Sequence, residues 1–502
     1  MFKRFAVIAS FMVLISGGLV SGDTPSSASD TVKAPKPYGA LPSARQLGWH
    51  QLEFYGFLHF TVNTFTNREW GLGDENPDVF NPTDFSADQI VETAKMAGMK
   101  ALILTCKHHD GFCLWPSKYT EHSVKNSRWR NGKGDVVRAI SDACRRHGLK
   151  FGIYLSPWDR NHKDYGRPAY ITYYRNQLRE LLTEYGPIFE LWWDGANGGT
   201  GYYGGAREKR VIDRSTYYDW QHTLPIVRHL QPNCVIFSDA GPDVRWVGNE
   251  RGIAGDPCWE TYTPVPRKGE TVAVAGTTES RRGMHGTVDG KYWMPAECDV
   301  SIRPGWFYHP RQDAKVRSPK NLVDLYYASV GRGASFLLNL PPDRRGRIAE
   351  PDVKNLREFR TILDQTFAVN LAANAKLAPS NTRGGSKRFR AANLLDGDRT
   401  TYWTTDDNVT EASIVLVLPR PTTFNVMDVR EYLPLGQRVR RWTLEQWQDG
   451  KWVKLANGQS IGNRRLWRGK PVTAQRLRLR VSGPVCPALS EFGLYLEPTS
   501  NN

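Results

Sequence analysis

The chain has 502 residues, a formal charge of +16, 40% hydrophobic residues and 17 Trp, enough for two or three domains with substantial cores. Lys and Arg are spread along it without a long basic run, so the charge reads as a basic surface and not as a nucleic-acid footprint. Its 7 Cys are odd in number, with no CxxC or His-rich ligand spacing, which argues against a disulfide framework or a zinc site and leaves room for one disulfide.

Residues 1–22 carry Lys3 and Arg4, then an apolar stretch ending in small residues, the pattern of a signal peptide. No Cys stands there for a lipid anchor, and no later stretch reaches membrane-spanning length. A periplasmic or secreted protein without membrane insertion is expected. Residues 23–40 are rich in Ser, Thr, Pro and Lys and read as a flexible lead.

From residue 41 strands and helices alternate. Residues 54–60 form an aromatic strand. Residues 84–97 read as a helix capped by Ser86, with Ile90, Val91, Ala94 and Ala97 on one face. Residues 100–105 are apolar without alternation, as in a strand buried on both faces. A helix at 135–147 stopped by Gly148 follows, then a strand at 151–155, a helix at 170–185, the strand leading to Trp192, a helix at 218–230 and a strand at 234–237. This order predicts a parallel sheet with helical crossovers. No GxGxxG or GxxxxGK follows the first strand, so a (β/α)8-like barrel is favoured over an open doubly wound sheet. Strands at 326–330 and 335–340 are expected to complete it, and 350–365 to form an outer helix. Residues 376–497 instead hold short alternating strands between turns, as in an all-β sandwich. The expected division is a signal peptide (1–22), the lead (23–40), an α/β barrel (41–370) and the sandwich (376–497).

Polar and aromatic residues gather where strands of the barrel should end, the face on which barrel enzymes keep their chemistry. The first strand ends in His59, with Glu69 and Trp70 in its loop. The second runs into Lys107-His108-His109-Asp110, the third into Tyr154-Leu-Ser-Pro-Trp158, the fourth into Trp192 and Asp194. Aromatic walls suit the apolar faces of a sugar ring. No third metal ligand accompanies His108 and His109, so contacts to substrate hydroxyls are preferred over a metal, and no cofactor is implied. A two-carboxylate mechanism needs a partner for Asp194. Glu250 and Glu297 both qualify, and spacing does not choose between them.

The segments Gly56-Phe-Leu-His-Phe, Lys107-His-His-Asp-Gly-Phe, Tyr154-Leu-Ser-Pro-Trp-Asp and Leu191-Trp-Trp-Asp-Gly-Ala resemble an α-L-fucosidase of glycoside hydrolase family 29 over roughly residues 45–365. The segment 241–252 resembles the branch acting on α-1,3- and α-1,4-linked fucose. The resemblance implies a retaining hydrolase with Asp194 as nucleophile and Glu250 as acid/base. It also implies a pocket of His59, Glu69, Trp70, His108, His109, Tyr154, Trp192 and Trp306. The partners implied are fucosylated oligosaccharides or glycoconjugates. The segment Asn393-Leu-Leu-Asp-Gly-Asp-Arg-Thr-Thr-Tyr-Trp403 resembles discoidin-like modules of the coagulation factor 5/8 type C kind. The alternative reading is a non-catalytic secreted glycan-binding protein. Nucleic acid is not an expected partner, and oligomeric state is left open.

Overall fold

The computed structural model describes residues 31–195 and 197–498. The signal peptide read at 1–22 lies outside the described residues.

Eight parallel strands close into a barrel: β1 (Phe54–Leu58), β2 (Ala101–Lys107), β3 (Lys150–Leu155), β4 (Ile188–Trp192), β5 (Val235–Ser238), β6 (Val244–Trp246), β7 (Ala296–Ser301) and β8 (Ser335–Asn339). Each pairs with its neighbours in sequence, and β8 pairs with β1 to close the ring. The expected barrel followed by an all-β domain is the observed architecture. Alternate strand residues point to opposite faces. Tyr55, Phe57, Ile103, Tyr154, Trp192, Phe237, Val244 and Leu337 pack together inside the barrel. Phe54, Leu58, Leu102, Leu104 and Ile153 pack outward against the helices.

The helices start and stop where local chemistry dictates. Ser86 Oγ accepts from Gln89 N to open Ala87–Met96, and Asp135 accepts from Arg138 N to open Val136–His147. The latter ends at Gly148, whose φ of 76° is the left-handed conformation that lets the chain leave a helix without steric cost. Pro168–Glu184, Trp220–Leu230, Pro319–Ala328 and Glu350–Phe367 complete the outer layer.

Two expectations are corrected. Residues 326–330 are not a strand. Ser318 caps the helix Pro319–Ala328, and Leu322, Val323, Leu325 and Tyr326 recur at helical spacing on its buried face. The missing strands are β6, only three residues long, and β7, whose sequence Ala-Glu-Cys-Asp-Val-Ser turns Glu297 and Asp299 inward and Cys298 and Val300 outward. The alternation of strand and helix also lapses. A short turn joins β5 to β6, and no α-helix separates β6 from β7.

The second domain is an antiparallel sheet of seven strands around its own apolar cluster, including Trp403, Ile414, Leu416, Phe424, Trp442, Leu477, Leu479 and Phe492. Its long strand Glu411–Glu431 breaks register with Arg465–Ser482 at two places. The domain is docked on the barrel. Arg430 and Arg464 donate to Glu53 at 2.6 and 3.0 Å, and Arg464 donates to Tyr326 at 2.7 Å. Burial alone would raise the Glu53 pKa, but the charges of Arg430, Arg464 and Arg399 hold it well below the usual range. Residues 31–40, read as part of a flexible lead, strap this domain instead. Arg383 donates to the Lys33 carbonyl, Arg438 to that of Lys36, and Tyr38 N–H to that of Leu435. All seven cysteines are buried and unpaired.

Candidate active site

The C-terminal ends of the barrel strands and the loops beyond them enclose a cavity of about 320 Å3. Its lining includes His59, Glu69, Trp70, His108, His109, Trp192, Asp194, Glu250 and Trp306. Tyr154 reaches it through a hydrogen bond, donating from its hydroxyl to Asp194 Oδ2 at 3.1 Å. The ten positions singled out in the sequence therefore converge on one place.

Asp194 follows β4 directly. Its carboxylate is partly exposed, and His109 Nε2 stands 3.7 Å from Oδ2. The Tyr154 hydroxyl keeps its proton, because burial and the Asp194 charge raise its pKa. It thus orients the carboxylate without neutralising it.

The histidines are neutral, with their tautomers set by neighbours. Ser156 Oγ spends its one proton on the Trp158 carbonyl at 2.7 Å, so the 2.7 Å contact to His109 Nδ1 makes that nitrogen the donor. Its Nε2 lone pair faces the cavity. His59 Nδ1 lies 2.8 Å from Asn339 Oδ1, while the Asn339 amide donates to Ser301 Oγ and the Trp306 carbonyl. His59 Nδ1 is therefore the donor there, and its Nε2 is left as an acceptor. Burial lowers both pKa values to about 3. Neutral imidazoles with free lone pairs can accept from sugar hydroxyls. His108 packs against His109 and stacks on Tyr154, with ring centroids 4.0 and 5.7 Å away.

Trp192 closes the floor, stacked on Phe237 at 4.1 Å. Its indole N–H donates to Glu297 at 2.6 Å. Glu297 is wholly buried in the barrel, accepts from Tyr55 as well, and lines no part of this cavity. Glu250 does line it, on the loop after β6. Burial and then the charges of Asp194 and Glu69 raise the Glu250 pKa, against a lowering hydrogen bond from Trp306. A raised acid facing an ionised carboxylate is the arrangement that separates acid from nucleophile. Glu69 accepts from Trp306 N at 2.7 Å and lies 2.6 Å from His309 Nε2.

Two site residues escaped the sequence reading. Asp299, on β7, lines the cavity and accepts from Trp246 Nε1, on β6, at 2.7 Å. Burial and then the charge of Glu250 push its pKa well up. Both belong to the two strands too short or too acidic to read as strands. His309 is a third, visible only as one more polar residue three positions after Trp306.

Residues 43–366 match the family described as alpha-L-fucosidase, and residues 376–492 match the F5/8 type C domain. The chain is 44% identical to alpha-L-fucosidase 1 of Arabidopsis thaliana over 474 residues, covering 93% of this chain and 90% of the plant protein. Its fold superposes on a glycoside hydrolase 29 family member from an unknown rumen bacterium with a TM-score of 0.80, at 42% identity and 93% and 79% coverage. A Ruminococcus gnavus GH29 fucosidase in complex with fucose gives a TM-score of 0.83, at 32% identity and 94% and 98% coverage. The chain therefore belongs to the α-L-fucosidase family, glycoside hydrolase family 29, and is a hydrolase of that family with an F5/8 type C domain following its barrel.

Proposed function

We propose that the protein releases terminal α-L-fucose, joined through α-1,3 or α-1,4 linkages, from fucosylated oligosaccharides or glycoconjugates with retention of configuration. The observation that carries this reading is the meeting of two carboxyls of opposite character in one cavity. Asp194 is oriented by the Tyr154 hydroxyl, and Glu250 is shifted toward its neutral form. Asp194 attacks the anomeric carbon as Glu250 protonates the leaving oxygen, giving a fucosyl ester on Asp194. The ionised Glu250 then takes a proton from water, which attacks the ester carbon and frees Asp194. Neutral His59, His108 and His109 with Glu69 take the sugar hydroxyls, and Trp70, Trp192 and Trp306 cover its faces. A non-catalytic glycan-binding role is disfavoured by the presence of both carboxyls at the cavity. The leader at residues 1–22 supports export to a periplasm or the medium. Incubation with oligosaccharides carrying fucose in α-1,2, α-1,3, α-1,4 and α-1,6 linkage, with products read by mass, tests the reading. Release from the 1,3 and 1,4 isomers is expected, and preferential release from the 1,2 or 1,6 isomers would overturn the linkage.

A further inference from the structure

The cavity just described opens into a second one of about 260 Å3, and the two share Trp192, Asp194, Glu250 and Asp299. Under the proposed function the acid at Glu250 stands over the bond that breaks. The second cavity is then the space into which the leaving sugar projects, and its volume suits a single sugar ring.

Its lining includes two guanidinium groups, Arg214 and Arg267. Arg267 pairs with Glu270 at 3.1 Å. Arg214 has no carboxylate within ion-pair distance among the described residues, and its hydrogen bond goes to the Gly276 carbonyl at 3.5 Å. Burial and then the like charge of Arg267 work against the Arg214 cation. Asp239, also in the lining, does not compensate. Its oxygens accept from Gly276 N–H at 2.7 Å and from the Thr278 hydroxyl and N–H at 2.6 and 3.2 Å, so it fastens the loop instead. Two partly buried cations sharing one paired acid leave a positive excess, and an anion in the cavity would relieve it. The planar fork of Arg matches the oxygens of a carboxylate or a sulfate.

We propose that this second cavity is an anion-selecting leaving-group site, in which Arg214 and Arg267 take a carboxylate or sulfate ester on the sugar that carries the fucose. The proposal rests on the proposed function for its orientation. Its test does not depend on turnover. The full-length Asp194→Ala protein is titrated by calorimetry with the disaccharide left after fucose removal, in neutral, O-sulfated and uronic-acid forms. An anionic form should bind at least about tenfold more tightly than the neutral one, and the better of the two identifies the source of the charge. The preference should shrink at about 0.5 M salt and fall toward unity in proteins that also carry Arg214→Gln or Arg267→Gln. Equal affinity for all three forms, or a preference that survives both arginine substitutions, overturns the proposal. A selective site in a protein whose Asp194-intact parent releases no fucose would uphold the anion site and count against the hydrolytic reading alone.

Discussion

Trp306 joins two carboxylates of the cavity. Its backbone N–H donates to Glu69 Oε2 at 2.7 Å, and its indole N–H donates to Glu250 Oε2 at 3.4 Å. The same ring lies 5.0 Å from that of His59, so one residue of the loop after β7 touches both sugar-facing groups and the acid. The indole hydrogen bond favours the ionised form of Glu250 and lowers its pKa.

Trp306→Phe keeps the backbone bond to Glu69 and removes the bond to Glu250. The alkaline limb of kcat/KM against pH should then move upward by less than about one unit, because the acid holds its proton more firmly. KM should rise as the ring contact with the sugar is remodelled. A downward shift of that limb would contradict the role given to the indole.

Glu250 and Glu297 separate by substrate and by rescue. Glu250→Gln should cost about 10²–10⁴-fold with natural oligosaccharides, whose alkoxide leaving groups need the proton. With a nitrophenyl fucoside the loss should be smaller, and azide should restore turnover, since an anionic nucleophile needs no general base. Glu297→Gln should show no azide rescue, because Glu297 holds Trp192 and Tyr55 from inside the barrel. Azide rescue of Glu297→Gln alone would reverse the two assignments.

Glu190 and Glu297 are both wholly buried and face each other in the barrel interior. Burial raises the Glu297 pKa to about 7. Burial, then the charge of Glu297, pushes that of Glu190 well up. The folded protein thus binds protons more tightly than the unfolded chain. The stability contributed is whole below the unfolded pKa of about 4.5 and is lost as pH climbs through the raised folded values. The Tm should fall by several degrees between about pH 5 and about pH 8, and Glu190→Gln should flatten that slope. An unchanged slope in Glu190→Gln would remove the pair from the explanation.

Docking of the second domain on the barrel is tested at Glu53. Glu53→Ala strands Arg430 and Arg464 of the second domain without the barrel carboxylate they share. Losing one member of a buried ion network should cost about 3 kcal/mol or more. A chain cut after Leu371 also uncovers barrel-side contacts of Val426 and Leu466, so it should be less stable and less soluble. Because the ten site positions all precede residue 307, it should still cleave an aryl fucoside where it stays folded. A soluble, folded but inactive truncated protein would contradict that independence.

The fold was most legible where burial and periodicity agree. β1 to β5 are apolar runs, and the helices between them carry caps such as Ser86 and Asp135 and the stop Gly148. β6 and β7 were illegible because a three-residue strand has no period to read. Glu297 and Asp299 also look exposed in sequence while their strand turns them into the barrel. The run 326–330 looked like a strand because a short apolar stretch has no period of its own. Only the Ser318-Pro319 start and the spacing back to Leu322 mark it as a helix end. At the cavity, the residues at the ends of β1 to β4 could be named from position alone. Choosing Glu250 over Glu297 took the fold, since what separates them is which one reaches the cavity. Asp299, Trp246, Arg214 and Arg267 gather only through loops distant in sequence, which no local pattern announces.

The central claim is that Asp194 carries the fucosyl group in a covalent intermediate. It is tested most directly by incubating the protein with a 2-deoxy-2-fluoro-fucosyl fluoride, which slows hydrolysis of the ester, and locating the adduct by peptide mass spectrometry. The account predicts a fluorofucosyl group on the peptide spanning Asp194, with fragmentation placing it on that carboxyl. An adduct on Glu250, Glu297 or Asp299 would contradict it, as would release of fucose with inverted anomeric configuration.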